Sequence, residues 1–173
     1  MITRAFRRDD GGAIAVEFAL ILPVMVMLLL GATSATDLAR ASIKSWNAAQ
    51  SIADMVSQQA SLSTAEMTDF CTGGRLALAP LSGTATFTAA SVTTSASGTT
   101  AVDWQDTASC GGQTMADALS VAKPYVPNAK DSVIVVRITY VHTFPPSYVL
   151  PRTLTLTRTG VSRPRAGTTV AHG

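Results

Sequence analysis

Chemically reactive side chains are scarce in this 173-residue chain, which has only two cysteines and two histidines. Cys71, Cys110, His142 and His172 share no short ligand spacing, which argues against a four-ligand zinc site and leaves no metal or cofactor to expect. There is no G-x-S-x-G, P-loop, H-E-x-x-H or C-x-x-C run, so the familiar nucleophilic, phosphate-binding and zinc-protease chemistries have no foothold. Charge is thin as well. Only 14% of residues are charged, and 13 Lys and Arg against 11 Asp and Glu leave +2, too balanced for a nucleic-acid partner despite a pI near 8.7. Apolar residues make up 47% and the mean hydropathy is +0.28, which excludes a disordered chain.

The apolar residues are concentrated in one place. Residues 13–35 carry a single charge, Glu17, and at ~1.5 Å per residue a bilayer core needs roughly 20 residues, so the run is long enough to cross one. Arg4, Arg7 and Arg8 precede it, and short basic flanks stay in the cytoplasm; residues beyond about 36 are then expected outside the membrane. In an oxidising compartment Cys71 and Cys110 lie on the same side and are expected to form one disulfide, worth about 4 kcal/mol on the chain-entropy model. The alternative is a pair of buried thiols.

Three readings compete for the N-terminus: a cleaved secretory signal ending near Ala32 to Ala35, a plain signal anchor, and a processed assembly helix. Glu17 separates them. A carboxylate inside an apolar run costs several kcal/mol unless partnered, so it is functional by default, and neither a signal nor an anchor gains from it. The stretch Gly11-Gly12-Ala13-Ile14-Ala15-Val16-Glu17-Phe18 resembles the processing site of type IV prepilins, a Gly followed five residues later by Glu and then an aromatic. Cleavage after Gly12 releases an ammonium on Ala13. Glu17 then pairs with such an ammonium on a neighbouring subunit, which lowers the cost of burying both charges and sets the axial register.

More narrowly, Gly12 to Pro23, with its AVEFALILP run, resembles the opening of the TadE-like family of pseudopilins from tight-adherence pilus systems. The Val135 to Arg165 region is similar too, with a strand entering Pro145-Pro146, then Leu154 to Arg158 and a basic segment; residues 60 to 130 offer no matching motif. The resemblance implies a minor pilin-like subunit of the bacterial inner membrane, processed by a prepilin peptidase at Gly12, Ala13, Glu17 and Phe18. It also implies packing against other pilin-like subunits and their membrane platform through Glu17, Phe18, Leu20, Leu22 and Pro23.

Past the membrane run the helical signal continues: Leu38, Ala41, Ser45, Ala49, Ile52 and Val56 recur at three- and four-residue steps, and no Gly or Pro occurs between Ala32 and Thr72. One helix over about 13–60 would extend about 70 Å, kinked where Pro23 removes a hydrogen bond. Ser63 and Glu66 have capping-box spacing for a second helix through Met67, Phe70 and Cys71, ended by Gly73-Gly74. The uncharged stretch Leu76 to Val102 reads as a β-meander, a low-complexity loop or a glycan-bearing surface. Met115, Ala118, Leu119 and Ala122 mark a short helix before Pro124. Ser132 to Phe144 is the clearest strand, with Ile134, Val136, Ile138, Tyr140, His142 and Phe144 on one face, pairing with Thr153 to Thr159.

His142 reads as a core histidine with one satisfied nitrogen, and Asp103 and Asp106 around Trp104 as a polar loop rather than an acid–base pair. The expected architecture is α+β and pilin-like, a long helix packed on a small antiparallel sheet. Its parts are a cytoplasmic leader 1–12, a transmembrane helix 13–36, its extracytoplasmic continuation 37–60, a periplasmic domain 61–160 and a flexible basic tail 161–173. The runner-up function is an anchored or secreted adhesin or binding module with an ordinary signal sequence; an enzyme is not expected.

Overall fold

The computed structural model describes residues 10–126, 128–144, 152–165 and 169–173. The basic residues Arg4, Arg7 and Arg8 of the expected leader, and the Pro145-Pro146 connection, lie outside them. The chain divides into two units, Met1–Leu38 and Ala39–Gly173.

A single helix, α1 (Asp10–Ser57), runs through both. Its first part is apolar all round and its second is amphipathic, with Ala41, Ser45, Ala48, Ala49, Ile52, Ala53 and Val56 buried. Helical assignment is unbroken through Pro23, whose missing N–H leaves the Ala19 carbonyl without its usual donor. The second unit continues with β1 (Ser61–Leu62), α2 (Thr64–Ala77), β2 (Gly83–Thr94), β3 (Thr100–Asp106), α3 (Ala118–Ala122), a 3-10 turn Lys123–Tyr125, β4 (Ser132–Thr143), β5 (Thr153–Ser162) and β6 (Ala171–His172). The fold is α+β: β3, β2, β4 and β5, in that order, form a fully antiparallel sheet, and β1 pairs in parallel with β6.

The sheet is covered on both faces. On one side α1 and α2 enclose Phe87, Ala89, Ile134, Val136, Ile138 and Tyr140; on the other Met115, Ala118, Ala122 and Val126 close over Ala90, Val92, Val133 and Val135. The period-2 pattern of β4 accounts for the first face. The second was less visible because it is covered by a helix of one turn and its flanking loops. Leu119, expected on the packed face of α3, is exposed. Arg137 on β4 fastens this layer, its guanidinium donating to both carboxylate oxygens of Asp117 at 2.6 and 2.8 Å.

Between α1 and β5 the backbones nearly touch. A β-carbon at Gly160 would fall 2.5 Å from the Ala49 carbonyl and the Gln50 amide. Beside it, the Gln50 side chain acts as a short surrogate strand: Val161 N–H donates to its Oε1 at 3.2 Å, and its Nε2 donates to the Val161 carbonyl at 3.0 Å. This covers the end of what is otherwise an open sheet edge.

Two elements depart from the sequence reading. Helix α2 begins as expected, with the full Ser63–Glu66 capping box, but it does not stop at Gly73-Gly74. Gly74 lies inside the helix because a β-carbon there would fall 2.6 Å from Ile52 Cδ1 and 2.9 Å from Phe87 Cζ; the glycine admits close packing rather than ending the helix. The segment 161–173, expected to be a flexible tail, contains the last residues of β5, a buried Val170 and the paired strand β6. Its arginines hid this, because the residues that dock are the short apolar–polar run that follows them.

The stretch from Leu76 to Val102, left open by the sequence, forms most of the β2–β3 hairpin, its turn closed by Gly98 at φ +83°. Cys71 and Cys110 form the expected disulfide, bridging 39 residues from α2 to the loop after β3.

Two stability changes follow. Gly160→Ala is expected to cost about 3 kcal/mol, because a helix backbone cannot yield as a side chain can. Cys71→Ser with Cys110→Ser is expected to cost about 4 kcal/mol. Chemical unfolding followed by circular dichroism checks both; a loss below 1 kcal/mol for Gly160→Ala, on the order of a tolerated core swap, would contradict the close approach.

Candidate functional site

Within the first unit, α1 presents a surface no folded domain would leave to water. Every residue from Ile14 to Ala32 is exposed, including Phe18 at 62%, Leu20 at 72% and Leu22 at 44%, and the helix is long and apolar enough to cross a membrane. Where the apolar run ends, Thr33 and Ser34 donate their hydroxyls to the Leu30 carbonyl and Thr36 donates to that of Ala32, so these polar side chains are satisfied within the helix itself. The residues read as a processing and packing site, Gly12, Ala13, Glu17, Phe18, Leu20, Leu22 and Pro23, all fall on this helix; Gly12 and Ala13 lie in its first turns. A β-carbon at Gly12 would meet nothing within 4 Å, so packing inside this chain does not require the glycine, although glycine weakens a helix by roughly 0.5–1 kcal/mol. Glu17 is exposed on the same surface as its apolar neighbours.

The second unit holds the titratable clusters. Asp106 is buried at the end of β3. Ser109 donates to it through its hydroxyl at 2.6 Å and its backbone N–H at 3.0 Å, and the His172 ring lies 3.0 Å from the same carboxylate. Burial pushes the Asp106 carboxyl up, but the combined donation from Ser109 and His172 outweighs it and holds the group below the ordinary aspartate value. Trp104 packs against His172 with ring centroids 4.8 Å apart and planes tilted by 36°, and donates its indole N–H to the Val170 carbonyl at 2.8 Å. Serine, histidine and aspartate meet here, yet the hydroxyl is bonded to the carboxylate rather than to the imidazole, which is not the order of a serine–histidine–aspartate relay. The cluster fastens β6 to the sheet. Asp103 accepts from Thr93 and Ser91 instead, so the two carboxylates flanking Trp104 have separate partners and form no acid–base pair.

His142 differs from its expected state. Neither ring nitrogen has a hydrogen-bond partner, because the residue is buried on the inner face of β4 between Tyr140 and Phe144, the latter edge-on at 4.6 Å. Nearby, Tyr140 lines a cleft of about 550 Å3 with Arg75, Leu78, Pro80, Leu81 and Gly83; burial raises its hydroxyl above the usual tyrosine value. Among the described residues no three His, Cys, Asp or Glu side chains gather where a metal ion would need them. Sequence reasoning missed the His172–Asp106 clasp and the Gln50–Val161 pair, whose partners stand 66 and 111 residues apart without a motif.

Because Asp106 titrates lower folded than unfolded, its stabilising contribution is complete above the ordinary aspartate pKa of about 3.9 and is lost as pH falls through the lower folded value. Thermal unfolding followed downward from about pH 6 should therefore show a steeper acid loss for the native chain than for Asp106→Asn. Parallel profiles would contradict the clasp. No family model, curated protein or solved structure matches the chain.

Proposed function

We propose that this chain is a pilin-like membrane subunit that supports assembly of a tight-adherence type pilus. The supporting observation is a continuous helix whose apolar run from Ile14 to Ala32 is exposed and interrupted by one carboxylate, Glu17, and whose later part is the core element of an exported-type domain with a disulfide. In this reading a prepilin peptidase removes residues 1–12, the new Ala13 ammonium meets Glu17 of a neighbouring subunit in the low-dielectric bilayer, and Phe18, Leu20, Leu22 and Pro23 pack alongside. The N-terminus is cytoplasmic and the domain periplasmic.

Two measurements test this. The mass of the protein isolated from cells with a prepilin peptidase should correspond to loss of residues 1–12; loss near Ala35 would instead indicate an ordinary signal sequence, and an intact N-terminus would remove the processing step. Glu17→Val should leave membrane insertion unchanged while pili disappear from the cell surface. Normal piliation in that strain would remove the charge-pairing role.

A further inference from the structure

The second unit is electrostatically lopsided, and the cationic end is the one at which the chain enters. Gly83 of β2 is level with His142 of β4, which is level with Leu154 of β5, so these three mark one end of the sheet. Arg152 lies two residues further out, past the Thr143–Thr153 pair, its carbonyl accepting from Phe144 N–H. Within this unit α1 runs beside β5 in the same direction: Arg158 donates to Ser42, Gln50 pairs with Val161, and Ser162 reaches Ser57. Lys44 donates to the Ala79 carbonyl in the turn just before β2, and Arg75 near the end of α2 donates to the carbonyls of Ala85 and Cys110.

Four cations, Arg40, Lys44, Arg75 and Arg152, therefore belong to this end, while Arg158, level with Ile138, lies mid-sheet. Strands β2, β4 and β5 contain no Asp or Glu at all, and no acid follows Asp131. Among the described residues, no carboxylate lies within ion-pair distance of Lys44, Arg75, Arg152 or Arg158, whose side-chain bonds go to neutral oxygens where they are made. Arg40, and Asp37 just before it, each engage partners of their own. Flanking Lys44 on α1 are Ile43 and Trp46, 60% and 52% exposed, the amphipathic pairing of apolar and cationic side chains that suits a headgroup layer.

We propose that this end of the domain docks on the phosphate layer of an anionic bilayer, with the lysine and arginines taking lipid phosphates. The proposal rests on the reading of the 13–36 run as a membrane span, because that run holds the cationic end at high local concentration beside the lipid surface. Each cation near an anionic leaflet adds attraction that fades within a Debye length, so the contact is short-ranged and salt-sensitive.

The test uses the full chain in nanodiscs of phosphatidylcholine and of phosphatidylglycerol, with amide hydrogen exchange read over residues 76–86 and 152–158. Exchange there should slow by about fivefold or more in phosphatidylglycerol alone, and the slowing should vanish in molar salt and in the Lys44→Gln, Arg152→Gln double variant. Glutamine at 44 keeps a donor for Ala79, and unchanged protection of β4 shows that the variant is folded. Equal exchange in the two lipids, or slowing that survives the double variant, overturns the docking. Retention of the chain in both bilayers through an alkaline carbonate wash keeps the span reading intact in that event; a chain washed from both removes the span reading and the docking with it.

Discussion

With no β-carbon at Gly160, the backbone of α1 at Ala49 and Gln50 rests directly on β5, and the rest of the domain is arranged around that contact. Close approach requires small side chains on the helix, and Ala41, Ser45, Ala48, Ala49 and Ala53 supply them. It also brings Gln50 within reach of Val161, where a flexible amide makes both hydrogen bonds a neighbouring strand would have made. A larger residue at 160 would push the helix outward, open the sheet edge and loosen Ile52 from Gly74 and Phe87 in the same movement.

Helix α1 thus joins two kinds of surface without a break. From Ile14 to Leu30 the side chains are exposed and mostly long or branched, and the small polar side chains just beyond turn back onto their own helix. After Leu38 the buried face is built of short side chains, Ala41, Ser45, Ala48, Ala49 and Ala53, while Ile43 and Trp46 stay exposed. In the lipid-compatible part satisfaction of polar groups is local; in the domain it is long-range, through Gln50, Ser42 and Ser57 to β5. The sharp change in composition follows from what each environment accepts as neighbours.

What was legible in the sequence is what repeats at short period or fits a local rule. The long helix, the capping box at Ser63, the β4 face from Ile134 to Phe144 and its pairing with β5 all have such signatures. The cysteine pairing was inferred from compartment. Gly74 was misread because glycine signals both helix termination and close packing, and only the distant Phe87 and Ile52 decide which. The clasp at Asp106 depended on the end of the chain returning to β3, and the second sheet face on loop residues such as Met115 and Val126; no periodicity announces either. Of the candidate membrane site, the residues were visible in the sequence and their exposure on one continuous helix was added by the fold.

The parallel pairing of β1 with β6 orders events in time. Leu62 leaves the ribosome more than a hundred residues before its register partner His172, so the strand directly after α1 waits unpaired until that segment has been made. Closure of the domain therefore requires a long loop to form first. Until it forms, Trp104 lacks the Val170 carbonyl and Asp106 lacks His172, so the end of β3 stays unlatched.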